Sequence, residues 1–438
     1  MPRFIFQPFG RIVTMSPRRF ALTFYLLTFA LLASCASSPN PKMGPAILVG
    51  PTSTPFQPGV NDSPFNAPES PPAHAPTFTP YPTAYIRGVP SIVPQVATPS
   101  GGTGSLSVVI DPLTGNPPSD PALLERRPLA IKISNYPREI RPQYGLTLAD
   151  VVFEYYIEWG DTRFIGIFWG NDAKQVGPVR SGRYFDEHIV RMYHSYYVFN
   201  FADPREYKYF ISGDLASFVT TPGNTNCPPF FTYRVSDKVV DVNHYETYFD
   251  TSRFSACLSK KGMDNTPQSI RSSFFNLSVP SGGSIVNRIF NHYSVDDYDY
   301  WQYDSASGRY LRFQETADTR NNKPESYAPL MDALTNKQVA ADNVVELFVP
   351  HTFANENEQQ DEVYRINLVN SGNAFVFRDG VAFPARWNRT ELDQPLYLST
   401  LDGQPIYLKP GVTFYQVTGL TTDDWSDGLD WHFDFHTP

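Results

Sequence analysis

Two arginines three residues apart, Arg180 and Arg183, lie in the stretch VGPVRSGRYFDEH (176–188) of an acidic chain. A Gly-Pro turn precedes them, and the residues that follow predict a helix with Ser181 as its N-cap, running to about Tyr193. The N–H groups and dipole of a helix start favour a negative group, and two guanidinium groups are suitable donors to a carboxylate or phosphate. The stretch therefore predicts an anion-binding corner. The alternative is that both arginines bind carboxylates of the fold itself.

Carboxylates for such pairing lie just upstream. The pattern predicts a hairpin of two strands, Val151–Trp159 and Thr162–Trp169, because apolar and aromatic residues alternate around a short Gly-Asp turn. With that turn Glu158 lies opposite Arg163, and a cross-strand ion pair explains both residues. Glu154 is then a second carboxylate on the same strand face. One of these acids beside the arginines would have the geometry for acid–base chemistry.

Other chemical signals are weaker. His432, Asp434 and His436 alternate along one strand face, as metal ligands can, but a solvent-facing terminal strand explains the pattern too. Ser181 and His244 would form a hydrolase pair, yet the chain has no GxSxG nucleophile elbow. It also has no P-loop and no GxGxxG phosphate fingerprint. The sequence therefore predicts neither a metal nor a cofactor.

The N-terminus resembles an export signal. Four arginines and no acidic residue precede an apolar run, Phe20–Ala33, which is too short for a typical transmembrane helix. The run ends in Leu32-Ala33-Ser34-Cys35, small residues before a cysteine, as in the lipobox of bacterial lipoproteins. Residues 1–34 are thus predicted as a lipoprotein signal peptide, starting at Met1 or Met15, with Cys35 lipidated. A plain signal peptide or a signal anchor is the alternative.

The segment after Cys35 is predicted to be a spacer. Between Ala36 and Pro121 the chain has 20 prolines, many Ser and Thr residues and few charges. Proline removes backbone donors and favours extended conformations, so residues 35–126 are predicted as an extracytoplasmic linker without a packed core. The protein is then attached to the cell membrane through the lipid on Cys35, on its extracytoplasmic side. Outside the cytoplasm Cys227 and Cys257 are candidates for a disulfide, and two unpaired buried thiols are the alternative.

Composition limits the partners and the fold. The formal net charge of −9 argues against nucleic acid as a partner, and 15% aromatic residues favour sheets. The segments YDSASGRY, FRDGVAF and LDGQPIY each place turn residues between aromatic or branched residues, which predicts hairpins. We expect an α+β protein. Its N-terminal domain, residues 127–279, has a mixed sheet with packed helices, and a smaller antiparallel β-rich domain follows at residues 280–438.

The quoted segments resemble a known family. RPQYGLTLADVVFEYYIEWGDTRFIGIF (141–168), VGPVRSGRYFDEH and the pair Asn243-His244 are similar to the YerB-like bacterial lipoproteins, a family named for a domain of unknown function. The similarity extends from about Arg127 to Thr418. It implies an anchored extracytoplasmic protein with an α+β domain and a smaller β-rich domain. The family's motif positions are matched by the ligand-binding candidates, which are Glu154, Glu158, Arg163, Arg180, Ser181, Arg183 and His244.

Two functions are consistent with the sequence. The favoured one is a non-enzymatic binding or regulatory module of the cell envelope, whose ligand is an envelope protein or a cell-wall polymer bound near Arg180 and Arg183. The alternative is an envelope hydrolase or transferase that acts on an anionic wall polymer. That enzyme needs a carboxylate, Glu154 or Glu158, which reaches an open cleft and is not consumed by an ion pair.

Overall fold

The fold is described from a computed structural model. It covers residues 108–222, 227, 247–271, 273–355 and 361–438, and the backbone of residues 231–233. Two of the predicted positions, Cys35 and His244, lie outside these residues, as does the predicted signal peptide. Within the described ranges no helix has both the length and the apolar character that a membrane span requires.

The regular elements are mostly strands. The strands of the first half are β1 (Leu129–Ser134), β2 (Val151–Glu158), β3 (Asp161–Phe168), β4 (Tyr196–Val198), β5 (Val219–Thr220), β6 (Phe231–Tyr233), β7 (Thr247–Phe249), β8 (Phe274–Phe275), β9 (Ser284–Ile285), β10 (Arg288–His292), β11 (Tyr298–Asp304), β12 (Arg309–Glu315) and β13 (Tyr327–Pro329). The later strands are β14 (Met331–Asp332), β15 (Lys337–Gln338), β16 (Ala340–Ala341), β17 (Asn343–Val349), β18 (His351–Phe353), β19 (Tyr364–Ile366), β20 (Asn370–Arg378), β21 (Val381–Arg389), β22 (Tyr397–Ser399), β23 (Tyr407–Leu408), β24 (Thr413–Gly419), β25 (Asp423–Asp427) and β26 (Asp430–Asp434). The α-helices of the described residues are α1 (Asp186–Met192), α2 (Pro204–Ser212) and α3 (Phe254–Lys261).

A large mixed sheet, called the central sheet below, organises the fold. In the described residues its strand order is β22-β21-β20-β17-β24-β2-β3-β1-β4-β5, with β9 beside β21. The strand β24 is parallel to both of its neighbours, β17 and β2. Every residue of β17 and β24 is buried, which is typical of central strands covered on both faces. Strands from both sides of residue 280 therefore form one sheet.

A second sheet covers one face of the central sheet. Its order is β13-β12-β11-β10-β26-β25, with β16 beside β12. The two sheets touch where Trp301 packs against Phe414, with ring centroids 4.8 Å apart. The hairpin predicted at YDSASGRY is β11–β12, and the one predicted at FRDGVAF is β20–β21. The second half is β-rich but not purely antiparallel, because β26 runs parallel to β10 and β24 parallel to β17. Long connections permit such parallel pairs.

The described helices are short, and the fold is mostly sheet rather than a sheet with extensive helical layers. The helix α1 spans seven residues and packs Ile189 and Val190 into the core. It begins four residues later than predicted, and its N-cap is Phe185 rather than Ser181. The reason is that the preceding backbone pairs with β1: Ser134 N donates to Pro178 O at 2.9 Å, and Arg180 N donates to Lys132 O at 3.0 Å.

The predicted β2–β3 hairpin is present with a different register. Its two turn residues are Trp159 and Gly160, which both have positive φ, rather than Gly160 and Asp161. A bulge between Tyr156 and Glu158 shifts the pairing, so that Glu158 lies opposite Asp161 and not opposite Arg163. The bulge also turns Glu158 away from the sheet face that Glu154 occupies.

Candidate binding site

Arg183 connects the β2–β3 hairpin to α2. It lies in the segment 177–183, which we call the arginine turn. Its Nε donates to Glu158 Oε2 at 2.6 Å, a second guanidinium nitrogen also binds the Glu158 carboxylate, and Nη1 lies 3.6 Å from Glu206 Oε2. The Arg183 side chain is only 12% exposed. A charge-assisted pair with two contacts and little solvent is a structural tie. Arg183 thus already has carboxylate partners within the chain.

Arg163 supports the same turn from the central sheet. Its side chain is 8% exposed, and Nη1 donates to the backbone oxygen of Ser181 at 2.9 Å. The Glu158 carboxylate lies 4.0 Å away, at the limit of an ion pair. Burial lowers the pKa of Arg163. The structure thus brings Arg163, Arg183, Ser181 and Glu158 together, and the two side-chain cations hold the turn in place.

A second buried network fixes the start of α1. Lys132 Nζ lies 3.0 Å from Asp186 Oδ1, and the Tyr155 hydroxyl donates to the same oxygen at 2.6 Å. The hydroxyl of Tyr197 donates to Oδ2, which also accepts the Arg183 N–H at 2.8 Å. Burial lowers the pKa of Lys132 to about 7, and the Asp186 charge opposes the shift. Sequence reasoning missed this network, although a lysine inside the apolar strand LAIKIS was a signal for it.

Glu154 lies on the opposite side of the central sheet. It is fully buried, with Oε2 2.7 Å from Arg312 Nη1 and Oε1 accepting from Thr162 Oγ1 at 2.7 Å. Burial raises its pKa, and the charge of Arg312 opposes that shift. Its carboxylate has no exposed surface to offer a substrate.

A half-buried acid lies next to the arginine turn instead. Asp161, at the start of β3, has a pKa raised to about 7, first because it is buried and then because Asp297 is close. The charges of Arg163 and Arg180 oppose this shift. In the described part of the chain no cation lies within ion-pair distance of the Asp161 carboxylate. Sequence reasoning assigned this residue to a turn, so its proximity to the arginines could only be found from the fold.

A groove of about 660 Å³ opens where α1 faces the β18–β19 hairpin. The stretch that carries the two arginines continues directly into it. From that stretch come Tyr184, Glu187 and His188, and from the hairpin side come Thr352, Arg365 and Asn367. The groove is therefore lined by both halves of the chain, and its lining is largely polar.

Two ionisable side chains of the groove are already bound by other residues of the chain. Glu187 is bound by Arg191, whose Nε donates to Oε1 at 2.8 Å, and by the hydroxyl of Tyr209. His188 Nδ1 accepts from Arg389 Nη1 at 2.8 Å. Burial, and then the charge of Arg389, lower the pKa of His188 to about 3, so its imidazole is neutral.

Arg365 is the exposed cation of the groove. Its guanidinium carbon lies 3.8 Å from the ring centroid of Tyr184. Stacking on an aromatic ring leaves the edge N–H groups of an arginine free to bind an anion. Neither Arg365 nor Asn367 was expected, because a sequence 180 residues downstream gives no sign that it folds against α1.

The histidines of the C-terminal strands have other contacts. His432 stacks between Trp425 and Phe290, with both centroid distances at 4.8 Å. His436 Nε2 lies 3.0 Å from Asp423 Oδ2. Among the described residues no group of three or more His, Cys, Asp or Glu side chains has the arrangement of a metal site.

The two candidate cysteines are joined in the structure. Cys227 and Cys257 form a disulfide with Cα atoms 5.7 Å apart, and it connects a buried loop residue to α3. Cys227 is fully buried. The pairing of the two cysteines in the purified protein stays a prediction.

Comparison with known proteins gives a consistent picture. Residues 113–264 match the family model "Protein of unknown function (DUF3048) N-terminal domain", and residues 289–415 match the model of its C-terminal domain. The chain is 24% identical over 314 residues to "Putative lipoprotein YerB" of Bacillus subtilis, which covers 70% of this chain and 85% of the relative. The crystal structure of YerB from Bacillus subtilis is similar, with a TM-score of 0.57 and 23% identity over 71% of this chain and 96% of the other. Since the two models together match more than half of its residues, the chain belongs to the DUF3048 family.

Proposed function

We propose that this protein is a lipid-anchored extracytoplasmic binding module of the cell envelope, whose ligand is an anionic cell-wall polymer. The lipobox ending at Cys35 and the proline-rich spacer of residues 35–126 support the anchor. The name of the Bacillus subtilis relative supports it too. A long spacer would carry the groove away from the bilayer, toward the wall.

The groove with Arg365 carries the proposal. An extended polar groove suits a hydrophilic chain better than an apolar small molecule, which requires a mostly apolar pocket. The hydroxyl of Thr352 and the amide of Asn367 can bind sugar hydroxyl and amide groups. The guanidinium of Arg365 offers a charge-assisted bond to a carboxylate or phosphate. The other ionisable side chains of the lining, Glu187 and the neutral His188, are bound by arginines.

The sequence-predicted acids support binding rather than catalysis. Glu154 is buried against Arg312, and Glu158 is bound by Arg183. A general acid or base must reach the proton that it transfers, which neither carboxylate does in this structure.

The two predicted domains, residues 127–279 and 280–438, are proposed to act as one binding body. Tyr184 and His188 line the groove from the first segment, and Arg365 and Asn367 line it from the second. A ligand in the groove would therefore contact both segments at once.

Binding of soluble peptidoglycan fragments, which carry carboxylates on the peptides attached to their glycan, tests the proposal. We expect the wild-type protein to bind these fragments in titration calorimetry, and Arg365→Ala to weaken binding at least tenfold with an unchanged melting temperature. Because the bond is charge-assisted and exposed, affinity should also fall as salt increases. Asn367→Ala should weaken binding with less dependence on salt.

The matched control is Arg386→Ala, which removes an exposed arginine on β21 outside the groove. It should leave affinity unchanged. Equal loss in both arginine variants would indicate a nonspecific charge effect and reject the groove as the site. Absence of binding to the fragments, together with specific capture of one envelope protein that Arg365→Ala abolishes, would replace the polymer by a protein ligand.

Asp161 favours a second candidate function, an envelope hydrolase. Its carboxyl group has a pKa near neutrality and lies close to Arg163 and Arg180, which is the pairing an acid–base catalyst on an anionic polymer would use. Turnover of peptidoglycan fragments that Asp161→Asn abolishes would establish it. Binding without turnover in the wild-type protein would reject it.

A further inference from the structure

A row of polar side chains crosses the middle of the central sheet. Glu154 of β2, Gln416 of β24 and Glu346 of β17 lie in register on three neighbouring strands. All three are fully buried. Because interior strands are normally apolar on their covered faces, a row of two acids and an amide calls for compensating partners.

The second sheet supplies those partners and adds further acids. Arg312 of β12 places Nη1 2.7 Å from Glu154 Oε2 and Nη2 3.1 Å from Asp299 Oδ2. Asp297, in the loop before β11, accepts from Gln314 Nε2 at 3.1 Å and from the Thr162 N–H at 2.8 Å. We call the side chains of Glu154, Asp297, Asp299, Arg312 and Glu346 the interface cluster.

The interface cluster has too few cations to balance the charges of its carboxyl groups. Its four carboxyl groups and its one guanidinium group are all fully buried. The neighbouring acids at its edge have their own arginines: Asp296 pairs with Arg320, and Glu315 with Arg141 and Arg138. Asp161 and the phenols of Tyr293 and Tyr327 also face the cluster, and none of them adds a positive charge.

Glu346 is the least compensated member. Neither of its carboxylate oxygens has a hydrogen bond of regular geometry in the described residues. The Asn291 amide lowers the pKa of Glu346, but less than burial and the two nearby acids raise it. Burial raises the pKa of Glu346 well above its usual range, and the nearby Asp299 and Glu154 raise it further. Burial raises the pKa of Asp299 in the same way. A buried carboxylate without a partner takes up a proton rather than keep its charge.

We propose that the interface cluster is a buried proton-binding site, in which Glu346 carries a proton at neutral pH and so allows the two sheets to pack together. A proton passes from solvent to one Glu346 oxygen when the chain folds and returns to solvent when the site is deprotonated. No arrangement suited to a metal ion exists among the described acids, which favours protons over a bound cation. The site is separate from the groove and does not depend on the proposed ligand.

The consequence for stability has a definite sign. A carboxyl group that binds its proton more tightly in the folded than in the unfolded chain favours folding below its unfolded pKa. As the pH rises from that value through the folded pKa, this contribution is lost. For each proton released on unfolding, the folding equilibrium constant falls tenfold per pH unit over that range.

Glu346→Gln tests the site, because glutamine has the shape of the protonated acid and no charge. Denaturant unfolding from pH 6 to 9 should show a wild-type folding constant that falls more steeply than that of the variant, by up to tenfold per pH unit. Glu391→Gln, which alters an exposed loop acid, should follow the wild-type curve. Infrared spectra at pH 7 should show the carbonyl band of a protonated carboxyl group in the wild type and a smaller band in Glu346→Gln.

Parallel stability curves for the wild type and Glu346→Gln would overturn the proposal. If the variant does not fold, the infrared titration of the wild type still decides, because absence of a protonated carboxyl band at pH 7 rejects a stored proton. Stability at pH 8 that rises specifically with sodium, potassium or calcium would also reject it, and would indicate a cation in the same place.

Discussion

Arg183 binds Glu158 through two guanidinium nitrogens, one of them at 2.6 Å, across the end of the β2–β3 hairpin. The sequence left two roles open for this arginine, binding of an anionic ligand and binding of a carboxylate of the fold itself. Its carboxylate partner comes from the same chain, supplied by a bulge that turns Glu158 toward the arginine turn. The groove between α1 and the β18–β19 hairpin begins one residue later, at Tyr184.

Loss of this pair should destabilise the fold. Arg183→Ala leaves Glu158 and Glu206 without their cation in a site with little solvent, so we expect a loss of about 3 kcal/mol, the lower end of the range for a broken buried pair. Denaturant unfolding measures it, and a double-mutant cycle with Glu158→Gln isolates the coupling. Arg386→Ala, at an exposed site, should change stability by less than about 0.5 kcal/mol. An equally small effect of Arg183→Ala would contradict the structural role.

His188 should contribute to acid sensitivity. Its pKa is about 3 in the folded protein and near 6.5 when unfolded, so the unfolded chain binds more protons between these values. Stability therefore falls as the pH drops from 6.5 toward 3, by up to about 1.4 kcal/mol per pH unit from this group. His188→Gln should give a shallower acid limb in unfolding experiments from pH 6.5 to 4. Glu391→Gln, which alters an exposed loop acid, controls for the general effect of a substitution by glutamine.

The disulfide should stabilise the protein outside the cytoplasm. Cys227 and Cys257 are 30 residues apart, and closing a loop of that size is worth about 3.7 kcal/mol in the chain-entropy account. Reduction should lower the melting temperature, and the double variant with both cysteines changed to alanine should melt like the reduced protein. Peptide mapping without reductant should recover the two cysteines linked. Free labelling of both thiols in the native protein would refute the pairing.

The lipid anchor has a direct test. Cys35→Ala removes the thiol that would be acylated, so the variant should leave the membrane fraction or accumulate unprocessed. A Cys257→Ala variant controls for general effects of losing a cysteine and should stay membrane-bound. Membrane association and size that do not change in Cys35→Ala would disprove lipidation.

The local patterns of the sequence predicted more of the fold than of the site. The runs of apolar and aromatic residues on either side of the glycine turn located β2 and β3 to within one residue at each end, because nearly every residue of both strands is buried. The bulge before Glu158 was not predictable, since it consists of one extra residue that has no partner on β3 and leaves no signal in the residue pattern. The late start of α1 had a similar cause: pairing of Pro178 and Arg180 with β1 is a long-range contact that local propensity does not encode.

The candidate site was harder to predict from the sequence than the strands, for a related reason. Arg365 meets Tyr184, and Arg312 meets Glu154, across more than 150 residues of chain. The sequence singled out the motif arginines as candidate binding residues, but their partners could be assigned only once the register of the hairpin was known. Long-range partners decide whether such a cation is a ligand site or a structural tie.

The place of β24 has a consequence for how the chain is made. This strand, Thr413–Gly419, lies between β2 and β17 and contributes to both ladders, yet it is synthesised more than 250 residues after β2. Until it arrives, β2 and β17 each present an unpaired apolar edge, which is a target for aggregation. Folding of the central sheet must therefore wait for β24, and the long-range pairing makes it slow. This order of synthesis keeps the central sheet open while the earlier strands are made, which would suit the predicted export of the chain in an unfolded state.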